Sequence, residues 1–240
     1  MIRGLYAAAT ALDGASQRQQ ATSQNLANIS SPGFRRRGIV TETFEQALTR
    51  SGATVLNRTG SHIEKDFHTT KLGPLQRTGN PWDVALTNAR QFFVVDGPDG
   101  ELYTRNGSFG VTPDGDVVTR SGYAVQGEGG ALAIPANAAK ISIGTDGSLS
   151  ADGVPVGRLR VVEFESMNGL RDVGPTLFRA DDAVPTPAEG QVIQGSLEGS
   201  NIKPAELMVE LIQGVRYFEA AQRAMRAIND SIARRTRPEN

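Results

Sequence analysis

Apolar residues recur at heptad spacing at both ends of this chain, and a long glycine-rich middle separates the two stretches. Near the start, Leu5, Leu12, Gln19 and Leu26 share one stripe, and Ala8, Ala15, Thr22 and Ile29 share a second. Near the end, Leu207, Leu211, Gly214, Phe218, Ala221, Met225, Ile228 and Ile232 alternate by four and three. Such spacing places side chains on one face of an α-helix. The first stripe is narrow: Gly14 costs about 1 kcal/mol of helix propensity against alanine, and Gln19 and Thr22 interrupt the apolar run, so this helix is marginal by itself. Ser30-Ser31-Pro32-Gly33 ends it, because proline cannot continue the hydrogen-bond ladder and biases Ser31 away from helical angles. The pattern predicts helices over about residues 3–28 and 204–234, the second opened by Pro204 and supported by the Glu219 and Arg223 pair. Two such stripes bury each other by pairing within one molecule, or they pack against copies in neighbouring molecules.

The middle follows other rules. Residues 51–200 hold 22 of the 27 glycines and nine of the 12 prolines, a density that breaks long helices. Short strand signals run through it at Gln91 to Val95, Glu101 to Arg105, Asp116 to Arg120, Tyr123 to Gln126, Lys140 to Ile143 and Val156 to Phe164. Asp99-Gly100, Asp114-Gly115, Asp146-Gly147 and Asp152-Gly153 supply turns. The fold class that follows is α+β, with N- and C-terminal α-helices forming a coiled-coil-like bundle and an inserted antiparallel β-domain. The expected divisions are 1–34 for the first helix and its turn, 35–79 for an extended or irregular linker, 80–190 for the β-domain, and 191–240 for the segment bearing the last helix.

Composition removes several functions. Cysteine is absent, which excludes disulfides, thiolate metal sites and a cysteine nucleophile, and His62 and His68 are the two histidines. Apolar residues make up 38% of the chain and the mean hydropathy is -0.30, which leaves room for a partly ordered chain. No apolar run approaches the roughly 18 residues of a membrane span, so no direct membrane insertion is expected, and Met1 to Leu12 does not read as a cleavable signal peptide. The ends together carry a net charge of +5 and residues 51–200 carry -6. So small a basic excess does not make a nucleic-acid footprint.

Candidate chemistry is sparse. His62, Glu64, Asp66 and His68 alternate with other residues, so an extended strand places them on one face as a possible metal site. On a straight strand the two imidazoles lie about 20 Å apart, and a solvated face is the preferred reading. Arg35-Arg36-Arg37 reads as a solvated or partner-facing patch, most simply an ion pair from one subunit to the acidic middle of another. Gly127-Glu128-Gly129-Gly130 lacks phosphate-loop spacing and reads as a turn. No serine sits in a nucleophile elbow, and the paired carboxylates Asp181-Asp182 and Asp114 with Asp116 lie in turn-like sequence. The chain is therefore expected to be non-enzymatic, with no cofactor and no metal. A metal-dependent enzyme centred on His62 and His68, and an adhesin built on the β-domain, are the competing readings.

Ser23-Gln24-Asn25-Leu26-Ala27-Asn28 followed by Ser31-Pro32-Gly33-Phe34-Arg35 resembles the start of bacterial flagellar rod and hook proteins. Asp83-Val84-Ala85-Leu86 before Phe92-Phe93-Val94-Val95, then Tyr103-Thr104-Arg105-Asn106-Gly107-Ser108-Phe109, and finally Gly199-Ser200-Asn201, agree with that family in the same order. Pro155-Val156-Gly157-Arg158-Leu159 and Gly195 to Asn201 are more similar to its proximal-rod than to its distal-rod members. The resemblance implies a structural subunit of the flagellar basal body that passes unfolded through the flagellar type III export apparatus. It then polymerises helically in the periplasm with copies of itself and other rod and hook axial proteins. The missing cysteines suit such export. On this reading Leu5, Leu12, Leu26, Ile29, Leu207, Leu211, Phe218, Met225 and Ile228 pack between subunits, and Asn25, Leu26, Ala27, Asn28, Gly33 and Phe34 are the motif residues.

Overall fold

The structure is a computed structural model that describes residues 2–43, 61–135, 138 and 140–236, and it divides into two compact units. The first comprises Met1–Ala27, Arg37–Phe67 and Lys203–Asn240. It holds helix α1 (Ile2–Ala27), strands β1 (Arg37–Thr43) and β2 (Ser61–His68), which form a two-stranded sheet, and helix α2 (Pro204–Thr236). Both helices begin and end within two residues of the expected bounds. Lys203 and Pro204 set the start of α2: the Leu207 N–H donates to the Lys203 carbonyl at 3.1 Å, while Glu206 lies in the first turn and meets the Lys203 ammonium at 2.7 Å.

The expected coiled-coil-like bundle is not formed. Among the described residues there are two helices and nineteen strands, and the helices pack side by side as a pair. A pair shares a single seam, so the far side of α2, with Met208, Val209 and Ile212, stays exposed. Covering that side takes at least one further helix, as in bundles. Within the stretch expected to be extended or irregular, β1 and β2 form a ribbon. Ile39, Val40, Thr41 and Thr43 make β1 rich in β-branched residues, and Gly38 leaves room for the Phe67 ring, since a Cβ there would lie 2.4 Å from it.

The second unit comprises Asn28–Arg36 and His68–Ile202. It runs through β3 (Leu75–Arg77), β4 (Val84–Leu86), β5 (Gln91–Gly97), β6 (Gly100–Thr104), β7 (Phe109–Val111), β8 (Val117–Thr119), β9 (Ala124–Gly127) and β10 (Gly130–Ala131). A separate antiparallel sheet follows, made of β11 (Ile141–Ile143), β12 (Ser148–Ala151) and β13 (Val154–Arg158). The chain then continues through β14 (Val161–Glu163), β15 (Leu170–Asp172), β16 (Leu177–Ala180) and β17 (Thr186–Pro187). Finally β18 (Val192–Gln194) pairs with β4, and β19 (Ser196–Glu198) pairs with β3. The main sheet has the order β15-β16-β6-β5-β9-β8-β7, with β14 beside β5.

Strand β5 is central. Its run Gln91-Phe92-Phe93-Val94-Val95 lacks polar alternation because both of its faces are buried. Phe93 and Val95 join one cluster with Leu86, Leu102, Phe109 and Val125. Phe92 and Val94 join a second with Tyr103, Phe164, Met167 and Phe178, in which Phe92 meets Phe164 and Phe178 edge to face. The Asp152-Gly153 turn joins β12 to β13 with φ of 50° and 83°, a type I′ hairpin. The single strand expected over Val156 to Phe164 breaks at Leu159 and Arg160. There the Arg160 N–H donates to the Gln126 carbonyl at 2.9 Å, and the chain passes from the three-stranded sheet to the main one.

Candidate functional site

In the first unit, the heptad residues of α2 form its covered stripe. Leu207 is 2% exposed, while Leu211, Gly214, Phe218, Ala221, Met225 and Ile228 are half-buried between exposed neighbours. On α1 the buried positions other than Asn25 are small: Gly14, Ala15 and Ala21, with Leu12 and Thr22 half-buried. Small residues let two helix backbones approach closely. Leu26, expected on the seam, is 42% exposed. Ile29 is half-buried, and the side chain of Leu5 lies outside the described residues. Between the helices the Arg18 guanidinium lies 5.3 Å from the Tyr217 ring centroid.

Asn25 is the buried polar residue of α1. Its Nδ2 donates to the Arg37 carbonyl at 2.8 Å and its Oδ1 accepts the Arg37 N–H at 2.9 Å, so a helix side chain satisfies both backbone groups of the first residue of β1. Ala27 is exposed. In the second unit, the Asn28 carbonyl and Oδ1 receive the Ser31 N–H and hydroxyl and close the turn after the helix. Gly33 has φ of 70° and donates its N–H to the Glu198 carbonyl at 2.7 Å; a Cβ there would lie 2.5 Å from the Arg105 carbonyl carbon and the Asn106 nitrogen. Phe34 is buried beside it.

Within the second unit, Gly33 and Phe34 lead directly into a buried charge cluster. Arg35 and Arg105 are each 0% exposed at the side chain and both reach Glu198, which is 2% exposed. Arg35 Nη2 lies 3.3 Å from Glu198 Oε1, and Arg105 Nε donates to Oε2 at 2.7 Å with Nη2 bonded to the same oxygen. Arg105 also donates to the backbone carbonyls of Leu86, Asn88 and Gln91, and Arg35 to those of Lys71 and Ala89, while the buried Arg35 Nε has no hydrogen-bond partner among the described residues. Burial lowers the Arg35 pKa to about 10; the Glu198 charge opposes this shift and the Arg105 charge adds to it. Burial lowers Arg105 as well, against the opposing pull of Glu198. The cluster thus holds two cations and one anion, and five carbonyl dipoles solvate the excess charge. Asn201 closes the cluster's edge, accepting the Arg36 N–H at 2.7 Å and donating to the carbonyls of Thr69 and Lys71.

The expectation that Arg35 forms part of a solvated or inter-subunit patch is therefore corrected: its partner is a carboxylate of the same unit. A run of three arginines does not reveal which one turns inward. Arg105, Glu198 and Asn201 stand in the motif segments, but nothing in their local spacing marks them as one cluster. Along β19 the polar Ser196 and Glu198 are the buried positions and Leu197 between them is half-buried, so no hydrophobic alternation marks Glu198 as an interior residue.

The other candidate residues do not come together. His68 Nε2 lies 2.8 Å from Asp172 Oδ1 and the imidazole sits edge-on to Phe178. His62, Glu64 and Asp66 lie in β2, and their side chains are outside the described residues. Among the described residues no three His, Cys, Asp or Glu side chains gather as a metal site. No described helix is long and apolar enough to cross a membrane.

Three family models match the chain in order. Residues 5–35 match the flagella basal body rod protein model, residues 87–151 the flagellar hook protein FlgE/F/G D1 domain, and residues 193–234 the flagellar basal body rod FlgEFG protein C-terminal model. The chain is 34% identical to the flagellar basal-body rod protein FlgF of Salmonella typhimurium, over 95% of this chain and 96% of that protein. It is 33% identical to the flagellar basal-body rod protein FlgG of Buchnera aphidicola, over 91% and 93% of the two chains. To FlgF of Escherichia coli the identity is 31%, over 95% and 96%.

Proposed function

The chain belongs to the flagellar basal-body rod protein family and is a structural subunit of the rod, and from that premise we propose that it occupies a proximal position in the rod. It assembles with other flagellar axial proteins in the basal body. The proposal extends this to a subunit that passes unfolded through the flagellar type III export apparatus, polymerises helically across the periplasm and carries no catalytic activity of its own. The near-full-length match to FlgF of Salmonella typhimurium carries the proximal reading. The match to FlgG of Buchnera aphidicola, at similar identity, favours a distal rod position as the second reading.

Assembly needs surface that a lone chain leaves uncovered. In the helical unit Leu26, Met208, Val209, Ile212 and Val215 are exposed apolar residues, which supports contacts between subunits there. Contacts that do not close into a ring generate an open helical filament, the symmetry of a shaft. The test is a deletion strain complemented with the wild-type gene. Loss of swimming, with truncated basal bodies in electron micrographs and recovery on complementation, is the expected result, and the length of the remaining rod separates proximal from distal. A swimming deletion strain contradicts the reading.

A further inference from the structure

The last two strands of the second unit reach back to its earliest ones. Val192 lies opposite Leu86 and Gln194 opposite Val84; Ser196 lies opposite Arg77 and Glu198 opposite Leu75. The fit is close along this path: a Cβ on Gly73 would sit 1.8 Å from the Gly199 carbonyl oxygen, and the Gly199 N–H donates to the Pro74 carbonyl at 2.8 Å. The Glu198 carboxylate also accepts the Gly73 N–H at 3.0 Å. One side chain on the last strand therefore meets both buried guanidiniums and a backbone amide of the opposite edge.

Without that carboxylate, Arg35 and Arg105 would be two buried cations side by side, with carbonyl dipoles alone to balance them. Removing one partner of a buried ion pair leaves a charge that neither water nor protein neutralises. Four of the five carbonyls that Arg105 and Arg35 hold belong to Leu86, Asn88, Ala89 and Gln91, the loop that turns β4 into the central strand β5, and the fifth to Lys71. The loop is wound on the guanidiniums, and the guanidiniums depend on Glu198.

We propose that Val192 to Asn201 is a latch for the second unit: the loop from Leu86 to Gln91 and the start of β5 hold their native form only while Glu198 sits between Arg35 and Arg105. The unit opens and closes together with this segment, not independently of it. For a chain delivered N-terminus first, the β-unit stays open until residue 198 has arrived; that consequence rests on the export reading, and the latch itself does not.

Hydrogen exchange of the purified full-length chain, resolved by mass spectrometry, tests the latch without any export step. In the wild type, the amides of β18 and β19 and those of Gln91 to Val95 are expected to exchange through one common opening. Glu198→Gln is expected to accelerate both sets together, by roughly 100-fold. Acceleration confined to β18 and β19, with β5 protection unchanged, overturns the proposal. A second variant covers the case in which Glu198→Gln leaves the unit open throughout. Adding Arg35→Met to it removes one of the two opposed cations, and protection at β5 is expected to recover by about tenfold over Glu198→Gln alone. A double variant no better protected than the single one shows that the cation pair does not couple the loop to the latch.

Discussion

The Asn25 carboxamide closes a two-bond ring with the backbone of Arg37, donating to its carbonyl at 2.8 Å and accepting its N–H at 2.9 Å. Asn25 thereby does for the first residue of β1 what a neighbouring strand would do, and it ties α1 to the ribbon of the same unit. Asn25→Ala leaves both Arg37 groups without this partner and is expected to cost about 1–3 kcal/mol. Asn25→Asp keeps the acceptor and loses the donor. Chemical denaturation, together with exchange of the Arg37 amide, checks both, and an unchanged Arg37 amide in Asn25→Ala contradicts the assignment.

Two glycine substitutions separate backbone need from mere composition. Gly33 combines φ of 70° with a Cβ position 2.5 Å from backbone atoms of Arg105 and Asn106, whereas nothing lies within 4 Å of a Cβ on Gly129. Gly33→Ala is expected to lower the stability of the second unit by more than about 2 kcal/mol, and Gly129→Ala to change it by about 0.5 kcal/mol or less. Thermal unfolding of the two variants side by side decides this.

At the tip between β11 and β12 the hydroxyl and N–H of Ser148, together with the Arg158 guanidinium, hold the Asp146 carboxyl well below the usual carboxylate range. A carboxyl depressed on folding contributes stability that is fully present above its unfolded pKa and is lost as pH falls through the folded one. The tip is therefore expected to keep its hairpin contacts in acid that has already protonated ordinary carboxylates. Ser148→Ala removes the largest of these contributions, so the Asp146 midpoint moves up toward the ordinary value. Carbon-detected NMR titration of Asp146 reads this shift directly, and an unmoved midpoint in Ser148→Ala refutes the account of the tip.

Phe218 lies half-buried in the covered stripe of α2. Phe218→Asp places a carboxylate where an aromatic ring is partly shielded from water, a change with no compensating partner. Incorporation of the variant into basal bodies is expected to be lost, while hydrogen exchange at β5 stays as in the wild type. Normal incorporation shows that this stripe does not serve assembly.

Much of the secondary structure is legible in the sequence because its signals are local. The heptads, Pro32 and Pro204 bound the helices, and Asp152-Gly153 announces its hairpin. What the heptads do not encode is how many helices share a seam: a stripe on α2 fits a pair as well as a bundle, and here a pair forms. The inward turn of Arg35 is equally silent, since its partner Glu198 lies far along the chain and the neighbouring Arg36 and Arg37 look the same in sequence. His68 likewise meets Asp172 through the tertiary fold and not through the alternation of β2. Contacts between distant segments decide both sites, and local patterns cannot report them.

Sedimentation velocity combined with far-ultraviolet circular dichroism, over a concentration series of the full-length chain, tests most directly whether this protein is built to polymerise. The account predicts that large species grow with concentration and that helical signal rises with them, as the exposed apolar residues of the helical unit become covered. A chain that stays monomeric, with full helical signal at every concentration, contradicts it.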